Sequence, residues 1–276
     1  MLGQFQLLTI SEINAEGAYL AGGALGEVFL PKAELESHLE AGDPVSVFVF
    51  LDSAGHPTAT TTKPLAQVGD FALLRVKAMN SIGAFMDIGI SKDVLAPFNE
   101  QKPRMQEGHS YLVKLYLDKA SQRICASSNL NKFLNKTPAN YKPFEQVEII
   151  IAAKTDIGYK VVVNEQHFGV VFFSDLFKRV YIGQRMPGYV KQVRDDNKLD
   201  IVLEKPGMEK IDGLSSQILT ALKNNGGKLP LGDKSDPELI KKHFNTSKAN
   251  FKKAIGGLFK QGLIELEATA IKLKNQ

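Results

Sequence analysis

Apolar and polar residues alternate with a period of two through most of the chain, and after Pro206-Gly207 the period changes to that of helices. The alternation is clearest in a stretch whose short runs occupy residues 71–79, 83–89, 94–98, 111–117 and 122–127. These runs are rich in β-branched and aromatic residues and are separated by turn pairs such as Asn80-Ser81 and Asp118-Lys119, so they read as strands. Five strands in about seventy residues predict a small barrel. In the second run Ala84, Met86 and Ile88 share one side, while Phe85 and Asp87 share the other. If the apolar trio fills the barrel, Phe85 points outward, and an outward aromatic on a barrel strand invites a ligand.

The same pattern occurs three times. Gly17 and Gly42, Gly83 and Gly108, and Gly158 and Gly183 are each 25 residues apart. Fourteen residues before the first glycine of each pair come Gly3, Gly69 and Phe144, and fourteen after it come Pro31, Pro97 and Phe172. One fold used three times accounts for this register. The units span 1–64, 65–137 and 141–206. Short linkers near Lys63-Pro64, Thr137-Pro138 and Lys205-Pro206 imply limited but real freedom between neighbours.

In the last part of the chain, Leu214, Ile218, Leu219 and Leu222 recur at helical spacing before the stop Asn224-Asn225-Gly226-Gly227. Asp236-Pro237 supplies a cap and a first-turn proline for a second helix. A third starts at Thr246-Ser247, with Phe251, Ala254, Ile255 and Leu258 as its apolar stripe and Lys248, Lys252 and Lys253 on other faces. Residues 263–266 and 270–273 read as two short strands around Glu267-Ala268-Thr269. Three helices and a hairpin predict a winged helix over 209–276. The expected fold is multidomain and mainly β: three tandem five-stranded barrels, then a C-terminal α/β winged-helix domain.

Gly83-Ala84-Phe85, Val94-Leu95-Ala96-Pro97-Phe98-Asn99-Glu100, Val113-Lys114-Leu115 with Asp118, and Arg123-Ile124 together resemble the S1-type RNA-binding OB-fold across nearly the whole second unit. The aromatic of that family's second strand is matched by Tyr19 and Phe85, and by Lys160 in the third unit. Its frequent third-strand histidine is replaced by Pro31, Pro97 and Phe172. Three such barrels followed by a winged helix resemble, over the whole chain, the conserved virulence factor B family of bacterial RNA-binding regulators. The resemblance implies regulation of gene expression after transcription, which in that family can influence virulence traits.

Charge refines this picture. The net +4 divides unevenly: residues 1–66 hold two lysines against eight carboxylates, a net of −6, while 67–140, 141–208 and 209–276 carry +4, +1 and +5. Phosphate is repelled by a surface of its own sign, so the first barrel is a poor RNA platform and is expected to dock a protein or a neighbouring domain. The single Cys125 excludes an internal disulfide and fits a reducing cytoplasm. No apolar run approaches the roughly 18 residues of a membrane span, and the N-terminus lacks the pattern of a signal peptide, so a cytoplasmic location without membrane contact is expected.

The candidate RNA contacts follow. On the second barrel they are Arg75 and Lys77 from the first strand, Phe85 and Phe98 from the next two, and Lys114, Tyr116 and Arg123 from the last pair. Aromatic faces stack on unpaired bases and the cations hold the backbone. The third barrel offers Tyr159, Lys160, Phe172, Phe173, Lys191 and Arg194, where Lys160 favours phosphate contact over stacking. Its Phe168, Phe172, Phe173 and Phe177 are too many to be all exposed, so some must be core or interface. On the winged helix, Lys248, Lys252 and Lys253 suit phosphates, and the absence of arginine from that helix argues against strong base readout. The competing reading is a solvated charged face with two capping aromatics for the second barrel, and a lysine-rich solvated helix packing on the last barrel for the winged helix.

Signals for catalysis are weak. His38, His56, His109, His167 and His243 are far apart and lack metal-ligand spacing. Cys125 has no neighbouring base in sequence and reads as structural. Ser174-Asp175 reads as a turn, and Gly22, Gly23 and Gly26 fit a hairpin turn better than a phosphate loop. No catalytic residue, metal or cofactor is therefore expected. The leading expectation is a non-catalytic regulator that binds single-stranded RNA with low sequence specificity, through weak sites added by avidity. The alternative is a DNA-binding transcription regulator led by the winged helix. A nuclease would need a clustered acidic or histidine site that the sequence does not display.

Overall fold

A computed structural model describes residues 2–176, 178–204, 213–267 and 269–274. The first barrel comprises β1 (Phe5–Ile13), β2 (Gly17–Ala21), β3 (Glu27–Pro31), β4 (Pro44–Leu51) and β5 (Pro57–Thr60). The second comprises β6 (Phe71–Met79), β7 (Gly83–Met86), β8 (Val94–Pro97), β9 (Ser110–Leu117) and β10 (Ile124–Ser127). The third comprises β11 (Gln146–Lys154), β12 (Gly158–Val163), β13 (His167–Phe172), β14 (Arg185–Val193) and β15 (Leu199–Val202). Each closes in the order first, second, third, fifth, fourth strand, with the third and fifth parallel. Ala84, Met86 and Ile88 are buried inside the second barrel, as the alternation predicts.

The 25-residue spacing has a structural cause at both ends. Gly17, Gly83 and Gly158 open the second strand of their barrels and pair with Pro31, Pro97 and Phe172. A Cβ at these positions would run into the carbonyl oxygens of Leu30, Ala96 and Val171, so only glycine lets the two strands approach this closely. Gly42, Gly108 and Gly183 have φ of 100°, 77° and 84°, and their N–H groups donate to Ile10, Val76 and Ile151 carbonyls at 2.8, 2.9 and 2.7 Å. The position fourteen residues upstream is equally regular. Gly3, Gly69 and Phe144 have φ of 74°, 103° and 62°, and donate to the carbonyls of Val49, Leu115 and Val190.

Phe144 thus adopts a left-handed conformation that the other two units give to glycine. That conformation costs an L-residue roughly 1–2 kcal/mol, against roughly 0.5–1 kcal/mol for the extra chain entropy a glycine loses. Phe144→Gly is expected to stabilise the chain by about 0.5 to 1 kcal/mol, a rise in Tm of about 1–4 °C. Thermal unfolding checks this; a lower Tm would mean that the half-exposed ring contributes more by packing than the backbone loses by strain.

The barrels are joined by apolar contacts. Phe48 and Phe50 of the first barrel belong to the same buried cluster as Leu74, Met86 and Leu115 of the second. Leu65 N–H donates to Ile88 O at 2.8 Å, and Val68 N–H to Gly3 O at 2.8 Å. Between the second and third barrels, Phe71 and Leu112 pack with Leu130, Leu134, Ile150, Val162 and Phe168. Burying side chains of this size contributes roughly 1.5–3 kcal/mol each. His167 is buried beside this seam: its Nε2 donates to Thr137 O at 2.9 Å, since a carbonyl can only accept, and its Nδ1 lies 3.0 Å from Tyr141 Oη. The freedom expected at Lys63-Pro64 and Thr137-Pro138 is thus replaced by packed seams. The third expected linker, Lys205-Pro206, and its neighbours Gly207 and Met208 lie outside the described residues, as does Phe177.

The chain divides into two compact units, Met1–Ile201 and Val202–Gln276. The second contains α1 (Gly213–Asn224), β16 (Lys228–Leu229), α2 (Pro237–Phe244), α3 (Lys248–Lys260), β17 (Ile264–Leu266) and β18 (Ile271–Leu273). Asp236 caps α2 by accepting from Glu238 N–H, with Pro237 in the first turn, and Ser247 caps α3 by accepting from Asn250 N–H. Phe251, Ala254, Ile255 and Leu258 are buried against Ile218, Leu222 and Ile240. The sheet runs β16-β18-β17. Its edge strand β16 is an addition to the expected hairpin, too short to carry a period.

Candidate nucleic-acid interface

Residues paired directly across neighbouring strands face the same side of a sheet. In the second barrel Phe85 pairs with Leu95, Leu95 with Cys125, and Cys125 with Tyr116. Because Ala84, Ala96, Ala126 and Leu115 fill the interior, this row lies on the outer wall. Cys125 is buried within the row, and burial, with Asp118 and Glu100 nearby, pushes its thiol up to about 11. It is therefore a small apolar filler at neutral pH. Tyr116 is tilted against Phe133 with ring centroids 5.7 Å apart, and burial and the Glu100 charge raise its phenol, so it stays neutral.

Beside Phe85 the wall opens into a pocket of about 320 Å³, lined by Ile82, Phe85 and Leu95 of the second barrel and by Phe50 and Leu51 of the first. Lys92 and Arg123 also line it, together with Asp93, which is paired with Lys77. The Arg123 guanidinium donates to Asp52 O at 2.8 Å and Ser53 O at 3.2 Å, and Lys92 Nζ donates to Ser53 Oγ at 3.0 Å. The loop after β4 is thereby held against the second barrel, and the acidic barrel supplies one wall of the pocket. A largely apolar slot with an aromatic ring on one side and cations in its lining can take the flat face of an unpaired base.

The other candidates of the second barrel divide by environment. Arg104, which the sequence reading does not single out, lies 4.3 Å from the centre of the Phe98 ring. Lys77 pairs with Asp93 at 3.3 Å, and Arg75 is exposed. Lys114 donates to Gly69 O and sits 4.1 Å above the Phe71 ring at the seam with the third barrel, where burial lowers its pKa.

The equivalent rows differ in the other barrels. The first carries Tyr19, Phe29, Thr58 and Phe50, with the Tyr19 and Phe29 rings 5.5 Å apart. The third carries Lys160, Val170 and Asp200. Tyr159 meets the exposed Phe173 edge-on at 5.8 Å, and Lys154 Nζ lies 5.8 Å from that same ring, whereas Phe172 is partly buried in its pairing with Gly158. Phe168 is buried at the seam, the interface role expected of part of this aromatic group. Lys191 pairs with Asp175 at 3.1 Å and Arg194 with Asp196 at 3.6 Å.

On the winged helix, Lys252 pairs with Asp233 at 3.2 Å, whereas Lys248 and Lys253 are in no ion pair among the described residues. In the hairpin beyond α3, Glu267 engages Lys272 and also Lys228 of β16. The half-exposed Lys252–Asp233 pair contributes roughly 0–1 kcal/mol, so its loss is tolerable. Changing Lys248, Lys252 and Lys253 together to Ala is expected to leave the fold intact. It should lower the magnitude of the RNA-binding salt slope by up to about 2, at about 0.7 per phosphate contact on a single strand. A titration across salt concentrations with unchanged slope and affinity would remove α3 from the interface.

Among the described residues no group of three or more His, Cys, Asp or Glu is placed to hold a metal ion, and no helix is long and apolar enough to cross a membrane. Residues 216–273 match the family model of the CvfB-like winged helix domain, and residues 2–62 match that of the S1 domain. The S1 match thus falls on the first barrel, not the second, whose residues carry the fuller motif, while all three share one topology. Over 99% of its length the chain is 29% identical to Conserved virulence factor B of Staphylococcus haemolyticus and 28% identical to that of Staphylococcus aureus, covering 94% of each. A crystal structure of a multidomain protein with nucleic acid binding domains from Streptococcus pneumoniae is 26% identical, covering 99% of this chain and 98% of that one, with a TM-score of 0.44.

Proposed function

We propose that this chain, a member of the conserved virulence factor B family, is a non-catalytic post-transcriptional regulator that binds single-stranded RNA on its second barrel. The observation that carries the reading is the largely apolar pocket beside Phe85, with Arg123 and Lys92 in its lining. A duplex hides its base faces, so a slot of this kind favours unpaired bases. The row Phe85, Leu95, Cys125 and Tyr116 extends the platform, and Phe98 with Arg104 adds a second aromatic and cation pair. Arg75 and Lys77 on β6 and the lysines of α3 supply backbone contacts without base readout, which supports low sequence specificity. The S1 and winged-helix domains and the full-length relatives support a nucleic-acid-binding regulator, in a domain combination that is not a known enzyme family.

The test is fluorescence anisotropy of the full chain against single-stranded RNA of about 20 nucleotides, more than one OB fold covers, and duplex DNA of equal length, each across a salt series. Tighter, salt-dependent binding of the RNA is expected. Preference for the duplex would replace this reading with a transcription regulator led by the winged helix.

A further inference from the structure

A second groove, of about 530 Å³, lies between the second and third barrels and shares no lining residue with the pocket beside Phe85. Lys102, Lys154 and Lys160 line it, and among the described residues no carboxylate does. None of the three lysines is in an ion pair among the described residues. Lys160 is the most confined: it is partly buried, its Nζ sits 3.6 Å from the centre of the Phe168 ring, and its nearest polar partner is Asn131 Oδ1 at 3.4 Å. Burial and then the charges of Lys102 and Lys198 lower its pKa. Lys198 is itself paired with Asp196 at 2.6 Å, so it does not depend on Lys160's environment for a partner.

Lys102 and Lys160 bring two like charges to one groove, Lys160 partly desolvated, and an anion held there offsets their repulsion. Leu112, Leu130, Ala152 and Ile182 supply apolar lining, and Tyr111 is held in place because its Oη accepts from Gln106 N–H at 3.0 Å. Phosphate beside a flat apolar group is the chemistry of a nucleotide. We propose that this groove binds one nucleotide residue, its phosphate held by Lys102 and Lys160 and its base against Tyr111. The site does not rest on the Phe85 platform. Its ligand comes either from a nucleic-acid strand or from a free mononucleotide.

The test uses the full chain and two probes, adenosine 5′-monophosphate and the single-stranded RNA, with Lys160→Gln and Lys102→Ala, Lys102 being exposed. Losing one charge-assisted contact is expected to weaken binding about tenfold, and for RNA to reduce the salt slope by about 0.7. A purely structural Lys160 would instead show as a lower Tm, whereas removing a desolvated cation is expected to leave Tm unchanged or raise it. If Lys160→Gln fails to fold, Lys102→Ala decides. Weakened RNA binding in a protein indifferent to the mononucleotide identifies a strand as the source; weakened mononucleotide binding identifies the free ligand. Mononucleotide binding without RNA binding would keep the groove and sink the RNA reading. Unaltered affinity for both probes in folded variants, with RNA binding still sensitive to Phe85→Ala, would overturn the groove alone.

Discussion

Gly83→Ala is expected to lower the Tm of the chain by roughly 6–12 °C, from a loss of about 3 kcal/mol. The added methyl would collide with Ala96 O and lie 2.9 Å from Pro97 Cα, both backbone atoms of the strand that Gly83 pairs with. Neither can retreat without opening the β7–β8 ladder, and that ladder carries Phe85 and Leu95. The collision therefore couples stability to the proposed site: a partly folded Gly83→Ala protein should also bind RNA less well. Thermal unfolding by circular dichroism reads the first effect. A Tm within about 2 °C of the parent, the shift of less than one kcal/mol, would mean that the strands can separate enough to admit a Cβ, and the explanation of the 25-residue repeat would fail.

Phe85→Ala tests the platform itself. Base stacking on an aromatic ring is worth roughly 1–3 kcal/mol per base, so RNA affinity should fall about 5- to 150-fold. The ring faces outward beside the pocket while Ala84 and Met86 fill the barrel, so the Tm should change far less than for Gly83→Ala. The salt slope should stay unchanged, because no phosphate contact is lost. Equal affinity for parent and variant would return Phe85 to the role of an apolar surface residue covering the seam between the first two barrels.

Much of the fold is legible in the sequence because its restraints are local. The glycine register marks a close strand approach and a left-handed turn in every unit, and alternation separates Ala84 and Met86 from Phe85. The helix starts at Asp236 and Ser247 are declared by their capping side chains. The seams between barrels are not legible in this way. Phe71, Leu112 and Phe168 occupy positions that face away from their own barrel interiors, and only the neighbouring barrel explains why they are apolar. The same ambiguity affects the candidate cations. Arg123 and Lys114 read as phosphate contacts, yet one grips the loop after β4 and the other rests on Phe71. Arg104 and Lys102 lie in loops without a period, and their relation to Phe98 and to the groove exists only in three dimensions.

The central claim is that unpaired RNA bases lie on the outer wall of the second barrel. Photocrosslinking of the full chain to a 4-thiouridine-substituted single-stranded RNA, with the modified peptides identified by mass spectrometry, tests it most directly. Crosslinks on peptides containing Phe85, Leu95, Phe98 or Tyr116 are the expected result. Crosslinks confined to the Tyr19–Phe29 face of the first barrel, or to the winged helix alone, would contradict it.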